Sequence, residues 1–113
     1  MKKDPKVFLR HILDSIEHID RYTKNKSEQE FMESEETQDA VMKRLAVIGE
    51  AAKNLPAAIR ERHPEIDWKA IIGLKNVLVH EYFGVDVEVI WHIVEEDIPP
   101  LKSEILKMLE PEA

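Results

Sequence analysis

The pattern that most limits how this chain can fold lies near its C-terminal end. Val87, Trp91, Val94, Ile98, Leu101, Ile105 and Met108 recur at spacings of 4-3-4-3-4-3. An α-helix gathers such residues into one stripe, because its 3.6-residue turn returns every third or fourth side chain to the same face. The phase does not slip across Pro99-Pro100, so one helix bent at the prolines is expected, not two unrelated ones. Val41, Leu45, Ile48, Ala52 and Leu55 repeat the 4-3-4-3 spacing, the seam of a helix packed nearly antiparallel against its neighbours. Leu9, Ile12, Leu13, Ile16 and Ile19 line a third helix, which starts at Asp4-Pro5, a capping carboxylate followed by proline at the first helical position. With only three glycines to interrupt such patterns, the chain reads as all-α. The expected architecture is an up-and-down bundle of four main helices plus short helical turns, forming one domain over 1–113.

The punctuation between stripes supplies the boundaries. The first helix runs to about Tyr22, Thr23-Lys24-Asn25-Lys26 is a turn, and Ser27 caps a short helix through Phe31 and Met32. Ser34 opens the second long helix, with acidic residues in its first turn, and Asn54 to Pro56 closes it. Ala46, Gly49 and Ala51 are small and would let another backbone approach closely, while Arg44 and Glu50 are ion-pair candidates beside the seam. Ala57 to Arg62 is a short turn of helix, and His63, ahead of Pro64, reads as a solvated loop residue. Asp67 caps a helix from Trp68 to about Tyr82, which breaks at Phe83-Gly84-Val85, with Gly84 suited to a left-handed cap. Asp86 then caps the last helix.

Composition removes several classes of function. A chain of 113 residues with 43% hydrophobic and 35% charged content is long enough for one soluble globular domain. It has no cysteine, so neither disulfides nor thiolate metal sites are available. No apolar run reaches the length of a membrane span and no apolar signal core follows Met1-Lys2-Lys3, which favours the cytoplasm. His11 and His18 are seven apart on the first helix and His92 is isolated, so no metal site is expected. Glycine-rich phosphate loops and serine nucleophile elbows are absent. A net charge of −7 by itself argues against nucleic-acid binding. Its distribution softens that argument, because residues 27–39 carry six acidic and no basic side chains and residues 83–113 eight against two, whereas residues 40–82 carry seven basic against five acidic.

Within that mildly basic region, Lys75-Asn76-Val77-Leu78-Val79-His80-Glu81-Tyr82 brings a base, an amide, an imidazole and a phenol into one apolar helical segment. At about 100° per residue, Lys75 falls in the middle of the stripe formed by Trp68, Ile71, Ile72, Leu78, Val79 and Tyr82. A cation so placed needs a partner or a groove to reach along, and Glu50 is the first partner to test. His80 lies about 140° away on a narrow polar arc with Asn76, Gly73 and Lys69. Ala70, Leu74 and Val77 form a second apolar side, which in so small a bundle most simply meets another copy of the chain around a two-fold axis. Bland roles compete for each residue. His80 near a helix end is a natural cap or dipole partner, and Tyr82 on an apolar stripe is a natural core aromatic with a tethered hydroxyl.

Lys75 to Asp86, together with Val89-Ile90-Trp91-His92-Ile93-Val94-Glu95-Glu96-Asp97-Ile98-Pro99-Pro100-Leu101, resembles the HepT branch of the HEPN superfamily. Arg44-Leu45 and Ile48-Gly49-Glu50-Ala51-Ala52-Lys53 resemble its second long helix, and the likeness extends from the first helix to about Leu109. The family's Arg-x4-His-x-Tyr motif is matched here by Lys75, His80 and Tyr82. The resemblance implies a small dimeric helical bundle, the toxin half of a toxin–antitoxin pair. It implies a metal-independent ribonuclease that needs no cofactor and acts on RNA, with Lys75 and His80 catalytic and Asn76 supporting. It also implies a minimal nucleotidyltransferase antitoxin that silences the toxin by adding AMP to Tyr82. One departure is plain. The family's arginine is lysine here, a point charge on a mobile stem in place of a planar fork. The alternative is therefore a helical binding module, weakly active or inactive, that docks a nucleotidyltransferase.

Overall fold

The computed structural model describes residues 4–80 and 86–110, and the side chains of residues 77, 79 and 80 lie outside that description. The chain forms α1 (Pro5–Thr23), α2 (Glu28–Glu33), α3 (Glu35–Lys53), α4 (Ala57–Glu61), α5 (Trp68–His80), α6 (Val87–His92), a π-helical segment (Ile93–Asp97) and α7 (Ile98–Leu109). No strand occurs among the described residues. α1 packs along α3, α3 along α5, and α1 also along α7, so α1 and α3 are the middle of the bundle.

The helix starts are chemically explicit. Asp4 accepts from the Lys6 amide at 2.9 Å, Asp67 from Ala70 at 3.1 Å and Asp86 from Glu88 at 2.9 Å, each satisfying an amide with no partner in its own helix. Ser27 and Glu30 form a reciprocal capping box at α2. Between α1 and α2 the chain turns through Asn25, whose φ of 61° is the left-handed conformation that asparagine tolerates. α2 is too short to persist by itself. It is held by Phe31, which is fully buried with its ring 5.1 Å from that of Trp91, while the Gln38 side chain donates to the Phe31 carbonyl.

The three stripes supply the core. Leu9, Ile12, Ile16 and Ile19 meet Val41, Leu45, Ile48 and Ala52 across α1 and α3, and Trp91, Val94, Ile98, Leu101 and Ile105 close the other side of α1. Burying each such side chain is worth roughly 1.5–3 kcal/mol, so the interior carries the stability. Lys102 on α7 adds an ion pair to Asp20 on α1 at 2.7 Å.

The C-terminal stripe keeps its phase, but the irregularity does not fall at the prolines themselves. It falls at Ile93–Asp97, where the backbone widens into a π turn and the Ile98 amide donates to the Ile93 carbonyl five residues back. Pro99 and Pro100 offer no amide to carbonyls 95 and 96, and their rings would clash there in a regular α-helix. The wider turn just upstream accommodates both demands.

His63 departs from the sequence expectation. It is not a solvated loop residue. Its imidazole is largely covered, with Nδ1 3.0 Å from Glu104 Oε2 on α7, and its carbonyl accepts from the Trp68 indole at 3.0 Å.

Candidate functional site on helix α5

α3 and α5 can approach closely because Gly49 stands at their contact. A methyl group built there would lie 2.8 Å from the Ile71 carbonyl oxygen and 3.1 Å from the Lys75 amide nitrogen. Ala51 and Ala52 are buried nearby on α3. The close approach brings Lys75 alongside the residue after the glycine. Lys75 Nζ donates to Glu50 Oε2 at 2.8 Å, with both side chains half-exposed. That hydrogen bond is the main reason the Glu50 carboxyl sits below the usual carboxylate range, against a smaller upward pull from desolvation.

The pair lines a groove of about 460 Å³ between α3 and α5. Met42, Ala46, Val47 and Leu78 give the groove an apolar wall, and Lys43 lines it as well. The arrangement offers one hydrogen-bonded cation beside an apolar trough. Such a cation can bind an anionic oxygen once its carboxylate partner yields.

Arg44, the other charge expected beside the α3 seam, points elsewhere. Its guanidinium lies 3.7 Å from Asp14 on α1 and links α3 to that helix. Asn76 is exposed. His80 closes the described part of α5, but its side chain lies outside the described residues, as do Tyr82 and the expected break at Phe83-Gly84-Val85. The relation of Lys75 to the imidazole and the phenol is therefore an expectation from sequence alone.

The second side of α5 is open as far as the described residues go. Ala70 is exposed, Leu74 is only partly buried, and a Cβ on Gly73 would find nothing within 4 Å. No helix among the described residues is long and apolar enough to cross a membrane.

Two further groups of titratable side chains come together elsewhere. His92 is not isolated, since its Nε2 lies 3.7 Å from Glu28 and 4.0 Å from Glu88, and its Nδ1 lies 3.7 Å from Glu96. His63, Glu65 and Glu104 form a second group in which all the ligand-type atoms lie within 4.8 Å of one another. The second was hidden by distance, because Glu104 stands 41 residues from His63, whereas Glu88 and Glu96 flank His92 at the four-residue spacing of one helix face.

An all-helical bundle whose fifth helix carries Lys75 and ends at His80 defines a class, and comparison with known proteins identifies it. The chain matches the family described as "Ribonuclease HepT-like" over residues 12–108 and belongs to that family. It is 50% identical over 97% of its length to a Methanocaldococcus jannaschii protein named "Gamma-glutamylcyclotransferase and putative RNase MJ0434", of which it spans half. It is 42% identical over 96% of its length to the "Probable ribonuclease HepT" of Thermococcus cleftensis, covering 98% of that protein. It is 39% identical over 92% of its length to a second M. jannaschii protein, "Putative RNase MJ1380", covering 95% of it. No solved structure matches the chain.

Proposed function

We propose that the protein is a metal-independent ribonuclease that works as a homodimer, the toxin of a toxin–antitoxin pair. The observation that carries this reading is Lys75. A cation on the motif helix stands at an apolar groove, held by one hydrogen bond to Glu50, in a chain of the HepT-like ribonuclease family. Cleavage without a metal needs a group to take the proton of the ribose 2′-hydroxyl as its oxygen attacks phosphorus. It needs another to protonate the departing 5′-oxygen, and a cation for the charge that builds on the phosphorane. His80 supplies the proton transfers, Lys75 the cation, and Asn76 a hydrogen bond. Two protomers place two imidazoles in one cleft, so that one accepts while the other donates.

The open side of α5 supports the dimer. Glycine inside a helix costs about 1 kcal/mol relative to alanine. Nothing among the described residues requires the absence of a Cβ at Gly73. A second copy packed against Gly73, Ala70 and Leu74 would require it. Tyr82, two residues past His80, is the acceptor for AMP added by a minimal nucleotidyltransferase antitoxin.

The test is incubation of the purified protein with RNA in the presence of a chelator. Wild type cleaves, His80→Ala does not, and Lys75→Arg cleaves faster because the fork grips phosphate at two points. Absence of cleavage in all three overturns the nuclease reading. A mass increase of one AMP on co-expression with the antitoxin, lost in Tyr82→Phe, tests the silencing. A second reading, a docking module for the nucleotidyltransferase with little activity of its own, draws on the net charge of −7 and on the Glu50 carboxylate that already occupies Lys75.

A further inference from the structure

The connection from α4 to α5 folds back against α7 and brings together one imidazole and two carboxylates. His63 Nδ1 lies 3.0 Å from Glu104 Oε2 and 3.7 Å from Glu65 Oε1. We propose that His63, Glu65 and Glu104 form a structural site for a divalent transition-metal ion of the zinc class, tying the start of α5 to α7.

Geometry comes first. Zinc held at about 2.0–2.2 Å from nitrogen and oxygen donors places neighbouring tetrahedral ligands about 3.4 Å apart. The two donor separations here straddle that value, so small side-chain adjustments close the site. The donor set selects the ion. One imidazole nitrogen with two carboxylate oxygens suits zinc, cobalt or nickel, whereas magnesium favours all-oxygen octahedra that retain several waters. Three protein ligands leave a fourth position for water.

Charge and rigidity add to the case. Lys107 Nζ holds the other oxygen of Glu104, Oε1, at 3.3 Å, which leaves Oε2 directed to His63. Two carboxylates thus share one imidazole, and a cation between them relieves their repulsion. The frame is set in advance. The His63 carbonyl accepts from the Ile66 amide at 3.2 Å and from the Trp68 indole, Pro64 stiffens the link from His63 to Glu65, and the Glu104 side chain is only 15% exposed. Glu65, at 52%, is the exposed member of the three, whereas the group at His92 is exposed throughout, its imidazole at 52% and its carboxylates all exposed.

The site lies before the first residue of α5, whereas Lys75 and His80 lie toward its other end, with α5 itself spanning about 18 Å at 1.5 Å per residue. The ion would therefore act on stability and leave the proposed RNA chemistry untouched.

The test is thermal melting of the full chain carrying His92→Gln, which removes the competing group. Zinc or cobalt chloride is expected to raise Tm by about 10 °C at a hundredfold excess over Kd, and magnesium chloride to leave it unchanged. Glu65→Gln keeps the His63–Glu104 hydrogen bond and the metal-free Tm but abolishes the rise. Calorimetric titration with zinc should give one site per chain in His92→Gln and none when Glu65→Gln is added. No rise with zinc or cobalt in His92→Gln, or a full rise in the Glu65→Gln protein, overturns the proposal.

Discussion

At Gly49 a single hydrogen atom decides how α3 meets α5. Any Cβ there would press on the backbone of Ile71 and Lys75, which cannot rotate aside as a side chain would. Gly49→Ala is therefore expected to destabilise the fold by about 1–3 kcal/mol, seen as a lower urea midpoint with an unchanged slope. The same displacement would part Lys75 from Glu50. Glu50 itself offers a prediction about binding. Glu50→Gln removes the carboxylate beside the cation proposed to bind phosphate, so RNA affinity in a non-cleaving His80→Ala background should rise severalfold. Its salt dependence should steepen by about one unit of slope. Filter binding across a salt series reads both, and an unchanged slope would mean that Lys75 touches no phosphate.

α5 is the element on which stability and the proposed function meet. Asp67 caps it, and Asp67→Ala should cost about 1 kcal/mol, measured as a fall in Tm. Gly73 sits on its open face. Gly73→Ala should stabilise an isolated protomer by about 1 kcal/mol, since helix propensity improves and nothing among the described residues is in the way. If a second copy covers that face, the same change weakens association, and sedimentation would show a higher dimer dissociation constant. Improved stability with undiminished association would place the dimer contact elsewhere. The π turn at Ile93–Asp97 shows the limit of periodicity at this scale, for the stripe reports which face is buried but not how the backbone passes two missing amides.

Across the whole molecule, charge sets the response to pH. Glu50, Glu104 and Glu30 are all held below the usual carboxylate range, by Lys75, by His63 and by the Ser27 amide respectively. A carboxyl depressed in the folded state contributes stability above its unfolded pKa, near 4.5, and loses it as pH falls through the lower folded value. Asp97 runs the other way. Desolvation first, then Glu96 and Asp67, raise it, so its charged form opposes folding at neutral pH and the effect vanishes on acidification. Tm should hold steady near neutrality and fall below about pH 4.5, less steeply in Glu104→Gln, and Asp97→Asn should gain over wild type at pH 7 but not at pH 3.

Periodic apolar stripes, capping residues at Asp4, Ser27, Ser34, Asp67 and Asp86, and the small residue at Gly49 determined the helices, their ends and the faces they bury, because each of these acts over one or two helical turns. The Lys75–Glu50 pair was legible as well, since an uncompensated cation on an apolar stripe demands a partner. His63 was not. Whether an imidazole meets water or a carboxylate 41 residues away depends on how α7 returns across the bundle. No local pattern encodes that return. Only the packing of α1 against both α3 and α7 decides which distant side chains share the same few ångströms.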